Sequence, residues 1–157
     1  MENDSEEYSN NNYYLAKEDF KRVDHIIYVS LKYTKTGDVI LNLLSRWKNL
    51  MELSFDFMIQ SKIEAGKIPE LPISPKQRIE YMRKYFKKSD EIQEIIPLYI
   101  FFKRVPDLPK SRVGEFRKNV ALNVQTPKEL VIINMERLGE YYEKIEKFMK
   151  VVKTYNV

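Results

Sequence analysis

From Tyr13 the apolar positions Ala16, Phe20, Val23, Ile27 and Leu31 follow one another in steps of three and four, laying one stripe along a helix. This first helix is predicted to end near residues 34–37, with Gly37 supplying the positive φ of a helix terminus. Residues 1–12 contrast with it. They hold four acids, four asparagines and no aliphatic residue besides Met1, too little apolar surface to offset ordering, so they read as a disordered acidic, Asn-rich tail before one domain over 13–157. Asp38 is placed to cap a second helix running to about Ala65 and closed by Gly66. Its apolar residues, among them Ile40, Leu44, Trp47, Met51, Phe55 and Ile59, cover more than one stripe, so it is either central in the core or also buried against a second subunit. Trp47 is expected in the core.

Prolines 69, 72 and 75 make residues 67–75 a connector. Ser74, Pro75 and Gln77 then form a capping-box start for a third helix through about Lys87, with Ile79, Met82 and Phe86 inward and Arg78, Arg83, Lys84, Lys87 and Lys88 outward. Ser89 and Asp90 open a further helical segment in which Pro97 marks either a kink or a new start. A short buried strand at residues 95–102 is the alternative there. After a second proline connector at 105–110, Ser111 is predicted to cap a short helix with Val113, Phe116 and Val120 inward, so that Arg117 and Lys118 flank its apolar face. Thr126, Pro127 and Glu129 carry the signature of a helix start. From there Leu130, Ile133, Leu138, Tyr141, Ile145, Phe148, Val152 and Tyr155 form a heptad-like seam. The predicted fold is all-α, an up-and-down four-helix bundle with one or two short extra helices before the last long one.

The chain of 157 residues is 43% hydrophobic, enough for one core. Its polar start and lack of a long apolar run predict a cytoplasmic protein without a membrane span. It has no cysteine, one histidine and four glycines, which removes thiolate chemistry and sulfur-ligated metals and disfavours glycine-rich phosphate loops. The charged fraction of 32% with no cysteine is thermophile-like. The net charge of +4 is unevenly placed: residues 76–118 hold twelve Lys or Arg against six acids, so that third is +6 and the remainder about −2. Such a region suits phosphate backbones or an acidic protein, and equally the solvated faces of ordinary helices.

Catalysis by common routes has little material. His25 follows Asp24 and faces away from the apolar stripe, and no Glu-x-x-His pair for a di-metal bundle is present. Glu136, Glu140 and Glu143 with Lys144 and Lys147 fit i to i+4 salt bridges. No cofactor or metal is implied. Basic residues interleave with Tyr81, Tyr85 and Phe86, and with Phe101, Phe102 and Phe116, so base stacking with phosphate contact is chemically available.

An amphipathic first helix, a long apolar second one, and Phe116, Arg117, Lys118, Asn119, Val120 and Ala121 running toward Thr126, Pro127, Lys128, Glu129 and Leu130 together resemble the HEPN superfamily, in particular its small stand-alone proteins. RNA-cleaving members carry an Arg followed, after four to six residues, by a His. From Arg117 those positions hold Leu122, Asn123 and Val124, and Asn123 cannot transfer protons near neutral pH. The resemblance therefore implies a non-catalytic member, usually a homodimer, some of whose relatives accompany a nucleotidyltransferase in toxin–antitoxin pairs. The expected contact set for RNA or a protein partner is Arg112, Arg117, Lys118, Asn119 and Asn123, with Arg83 and Lys84. An RNA endonuclease with an atypical site and a purely structural assembly protein are the alternatives.

Overall fold

The computed structural model describes residues 2–155, with side chains described from residue 11 onward, Tyr28 excepted. Its elements are α1 (Glu2–Tyr33), α2 (Gly37–Glu64), α3 (Pro75–Tyr85), α4 (Asp90–Arg104), a 3-10 turn (Val105–Asp107), β1 (Lys110–Val113), β2 (Ala121–Gln125), β3 (Leu130–Asn134) and α5 (Met135–Lys153). Helices dominate, as the periodicity predicts. The all-α expectation is corrected by a three-stranded antiparallel sheet in the order β1-β2-β3.

The centre is α2, packed against α1, α3, α4, α5 and β2. A helix apolar around most of its circumference needs neighbours on most sides, and here they come from within the chain: Ile40, Leu44, Trp47, Leu50, Met51, Phe55, Met58 and Ile59 are buried. Its apolar surface is thus spent internally, which removes the basis for placing a subunit contact on it. Phe55 stands edge-on to Tyr99 of α4 and Phe148 of α5, at 5.2 and 5.7 Å between ring centroids. Trp47 stacks on Phe102 and is buried, the core position expected of it.

The α1 stripe holds its register: Ala16, Val23 and Leu31 are buried and Phe20 and Ile27 pack against the core. Helical backbone extends back to Glu2, through the segment that composition assigns to a tail; the side chains of residues 1–10 lie outside the described ones. Ser74 and Ser89 cap α3 and α4 as predicted, accepting from the N–H of Gln77 and Ile92. Pro97 lies inside one uninterrupted α4, on its exposed side, which sets aside the strand alternative. For α2 the cap is Thr36, whose hydroxyl accepts from Val39 N–H, rather than Asp38. Gly66, after α2, takes the positive φ expected of Gly37 as well; Gly37 does not.

The largest correction falls on residues 110–134. Thr126 and Glu129 do satisfy each other: Thr126 Oγ1 accepts from Glu129 N–H at 3.0 Å and Thr126 N–H donates to Glu129 O at 2.9 Å. They close the β2–β3 hairpin rather than open a helix. A side-chain oxygen bonding the N–H three residues on serves a tight turn as well as a helix N-terminus, and the β-branched run Val131, Ile132 and Ile133 decides for strand. The last helix starts at Met135, capped by Asn134 accepting from Arg137 N–H at 2.8 Å. Beyond it the predicted seam is buried at Leu138, Tyr141, Ile145, Phe148 and Val152. Leu122, Val124 and Ile133 form the inner sheet face, fully buried, while Val113, Leu130 and Ile132 are exposed.

A polar cross-brace ties α2, α3 and α4 together. Glu52 accepts from Tyr99 Oη at 3.0 Å and pairs with Lys48 at 3.2 Å, and Arg78 Nη2 donates to Asp56 at 3.4 Å. Burial pushes the Asp56 carboxyl above its usual range against the pull of Arg78. Burial first, then the Glu52 charge, pushes the Tyr99 phenol up to about 12. Both shifts mark a structural brace whose tyrosine stays neutral.

Candidate nucleic-acid interface

The predicted short helix carrying Arg117 and Lys118 is instead β1, a loop over residues 114–119, and the start of β2. Arg112 pairs in register with Leu122, and Ser111 with Asn123. The loop opens at Gly114, whose φ of +63 suits glycine, and a Cβ there would stand 2.8 Å from Asn119 Oδ1 and 2.9 Å from Asn119 O. Two residues on, Phe116 also takes a left-handed conformation, φ 65. For a bulky L residue this costs on the order of 1–2 kcal/mol and persists only where the surroundings impose it.

Three attachments to the α1–α2 junction impose it. Phe116 N–H donates to Lys35 O. Gly37 N–H, at the start of α2, donates to Glu115 Oε1 at 3.3 Å, so a carboxylate sits at the positive end of the helix. Arg112 donates to Asp38 Oδ1 through Nη2 at 2.6 Å and Nε at 3.1 Å. Gly37 is needed for closeness: a Cβ there would meet Arg112 Cγ at 2.5 Å. Inside the loop, Arg117 N–H donates to Gly114 O and Val120 N–H to Arg117 O.

The pinned loop turns its side chains outward. Phe116, predicted to point inward, is 75% exposed, and Tyr33 at the end of α1 is 73% exposed. Arg117, Lys118 and Asn119 are exposed, with no ion pair among the described residues. Arg112 differs from them, since its guanidinium is engaged by Asp38 and lies 3.9 Å from Glu115, so it positions the loop. Asn123 is half-buried on the outer sheet face beside Ser111 and Ile132, its Oδ1 buried and without a hydrogen-bond partner. Phe116 is the contact candidate that spacing misassigned; a large apolar residue set between a glycine turn and a basic pair was its signal.

Arg83 and Lys84 do not join this cluster. Both are exposed at the end of α3, and Lys84 shares a cleft with Lys62 of α2. Lys62 is 25 residues along α2 from Gly37, roughly 37 Å at the helical rise. The expected contact set is thereby split between two ends of the molecule. His25 is exposed on α1, and among the described residues no group of three metal-ligating side chains comes together. On α5 the ion pairs are Arg137 with Glu140 and Lys150 with Glu146, rather than those predicted. No described helix is long and apolar enough to cross a membrane.

What the geometry defines is a mostly helical α+β chain displaying an aromatic and two unpaired cations on a braced hairpin loop. Comparison with family models, curated proteins and solved structures finds no match.

Proposed function

We propose that the protein is a non-catalytic binding module for single-stranded RNA, engaging it through the β1–β2 loop. The observation that carries this is Phe116, held in a costly left-handed conformation with its ring in solvent, next to exposed Arg117 and Lys118. An exposed ring stacks on any base, adjacent cations take the phosphates, and Asn119 supplies an amide for a base edge. Arg112 keeps the loop in place, and Asn123, a few residues along β2, keeps its Oδ1 buried and so stands behind the contact surface rather than on it. This retains the RNA-binding half of the HEPN expectation without its local geometry, because Arg117 stands between strands rather than before a helix.

Cleavage would require a proton-transfer group beside Arg117. The loop's own candidate, Glu115, already accepts from Gly37 N–H. The second reading is a protein partner, and exposed Val113, Leu130 and Ile132 on the outer sheet face favour it. A homodimer or a nucleotidyltransferase-type partner would use that face rather than α2.

The test is fluorescence anisotropy with a labelled single-stranded RNA across a salt series. Arg117→Ala/Lys118→Ala is expected to make the slope of log affinity against log salt shallower by about 1.4, two contacts at about 0.7 each. Phe116→Ala is expected to cost about 1–3 kcal/mol of affinity with the slope unchanged. RNA binding indifferent to all three substitutions would remove the loop from the interface.

A further inference from the structure

At the far end of α2 lies a cleft of about 480 Å³ whose wall includes Lys62, Lys84, Lys87 and Lys88. Its volume falls within the roughly 300–1,000 Å³ of small-molecule sites. No acid lines it, and among the described residues none of the four lysines forms an ion pair, whereas Lys48, Arg78, Arg112, Arg137 and Lys150 all do. Four like charges around one cavity repel each other, and a multiply charged anion relieves that repulsion. The acids nearest in sequence are exposed and outside the lining: Glu64 at the end of α2, and Asp90 and Glu91 on the first turn of α4, where Glu91 accepts from Ser89 Oγ at 3.3 Å.

Apart from Ser89, the remaining wall is aromatic. Buried Phe86 meets the edge of Tyr155 at 5.6 Å, with Lys62 Nζ 5.3 Å above its ring. Half-buried Tyr85 has Lys84 Nζ 5.0 Å over its ring. Burial raises the Tyr155 phenol, so it stays neutral and adds no negative charge near neutral pH. Lysines set as point charges around aromatic faces match a ligand with phosphates at one end and a flat ring at the other.

We infer that this cleft binds a nucleotide, its phosphates among Lys62, Lys84, Lys87 and Lys88 and its base against Tyr85 or Tyr155. The nucleotide is either free or the phosphorylated end of a strand. The site is independent of the hairpin loop, and RNA binding there stands or falls separately.

Calorimetric titration of the full chain with ATP, in metal-free buffer at low salt, tests the inference alongside anisotropy with one RNA oligomer in 5′-phosphate and 5′-hydroxyl forms. Combined Lys84→Ala, Lys87→Ala and Lys88→Ala, all exposed positions, is expected to weaken ATP about tenfold or more. Arg117→Ala/Lys118→Ala is expected to leave ATP binding unchanged, and Tyr155→Leu to bring ATP down toward the affinity of inorganic pyrophosphate. A preference for ATP identifies the free nucleotide as the source, and a preference for the 5′-phosphate that vanishes in the triple-lysine variant identifies a strand end. Neither ATP nor 5′-phosphate being recognised, or both being lost equally in the hairpin variant, overturns the site.

Discussion

The aromatic core around α2 and the β1–β2 loop are held by opposite means. In the core, Phe55, Tyr99, Phe148, Trp47 and Phe102 interlock with almost no exposed surface, and each residue is fixed by many small contacts. In the loop, one backbone bond, one carboxylate at a helix start and one exposed ion pair fix six residues, and the large apolar ring is left outside. The core spends its apolar surface on stability. The loop keeps Phe116 in solvent and carries backbone strain as well, and such strain tends to gather where a surface has a use.

Substitution in the core is expected to have the largest effect. Phe55→Ala removes a fully buried ring touching two others and is expected to cost about 3–5 kcal/mol in chemical denaturation. RNA affinity measured below the denaturation midpoint should hardly move. A cost under 1 kcal/mol would mean that α2 is not the packing centre.

Next comes the alkaline response of two tyrosines hydrogen-bonded to carboxylates, Tyr99 in the polar brace and Tyr142 between α5 and α1. Tyr99 and Tyr142 have phenols pushed up to about 12, Tyr99 by burial and Glu52, Tyr142 by burial and the Asp24 carboxylate that accepts its hydrogen bond. A folded pKa raised above the unfolded value near 10 contributes stability that is fully present below pH 10 and lost as pH climbs toward 12. For buried Tyr99 the loss is expected to be about 2 kcal/mol. Tyr99→Phe should flatten the stability profile between pH 10 and 12, and ultraviolet titration should show one fewer late-ionising tyrosine. An unchanged profile would place Tyr99 outside the brace.

Smaller still is Gly114→Ala. It puts a Cβ against Asn119 in a left-handed position and is expected to cost about 1–2 kcal/mol. Here RNA affinity should fall with stability, because Asn119 and the basic pair are displaced, whereas Phe55→Ala should separate the two readouts. Equal stability in the glycine and alanine forms would show the loop to be loosely held.

The same contrast explains what was legible in the sequence. Where burial sets the pattern, as in the α1 stripe, the all-round apolar α2 and the seam from Leu138 to Val152, the helical period could be read directly. Where polar groups and turns set it, local signatures had two solutions. Thr126 with Glu129 closes a hairpin by the hydrogen bond that would cap a helix. The spacing of Val113, Phe116 and Val120 was too short a series to fix a period, whereas the alternation of Val120, Leu122 and Val124 with Ala121, Asn123 and Gln125 carried the strand signal. The basic residues were identifiable, but their division between two ends of α2 was not, since only the fold supplies that separation. The spacing shared with Val113 and Val120 points Phe116 inward, whereas the loop leaves it in solvent, against the usual burial of phenylalanine.

Phe116→Gly gives the most direct measurement, followed on one preparation by denaturant stability and by affinity for single-stranded RNA. Glycine accepts a φ of 65 freely, so the fold should keep its stability or gain up to about 1 kcal/mol, while affinity should drop by about 1–3 kcal/mol with the loss of the stacking ring. Stability falling while RNA affinity holds would contradict the account, showing that the ring serves the fold and that the loop is not the interface.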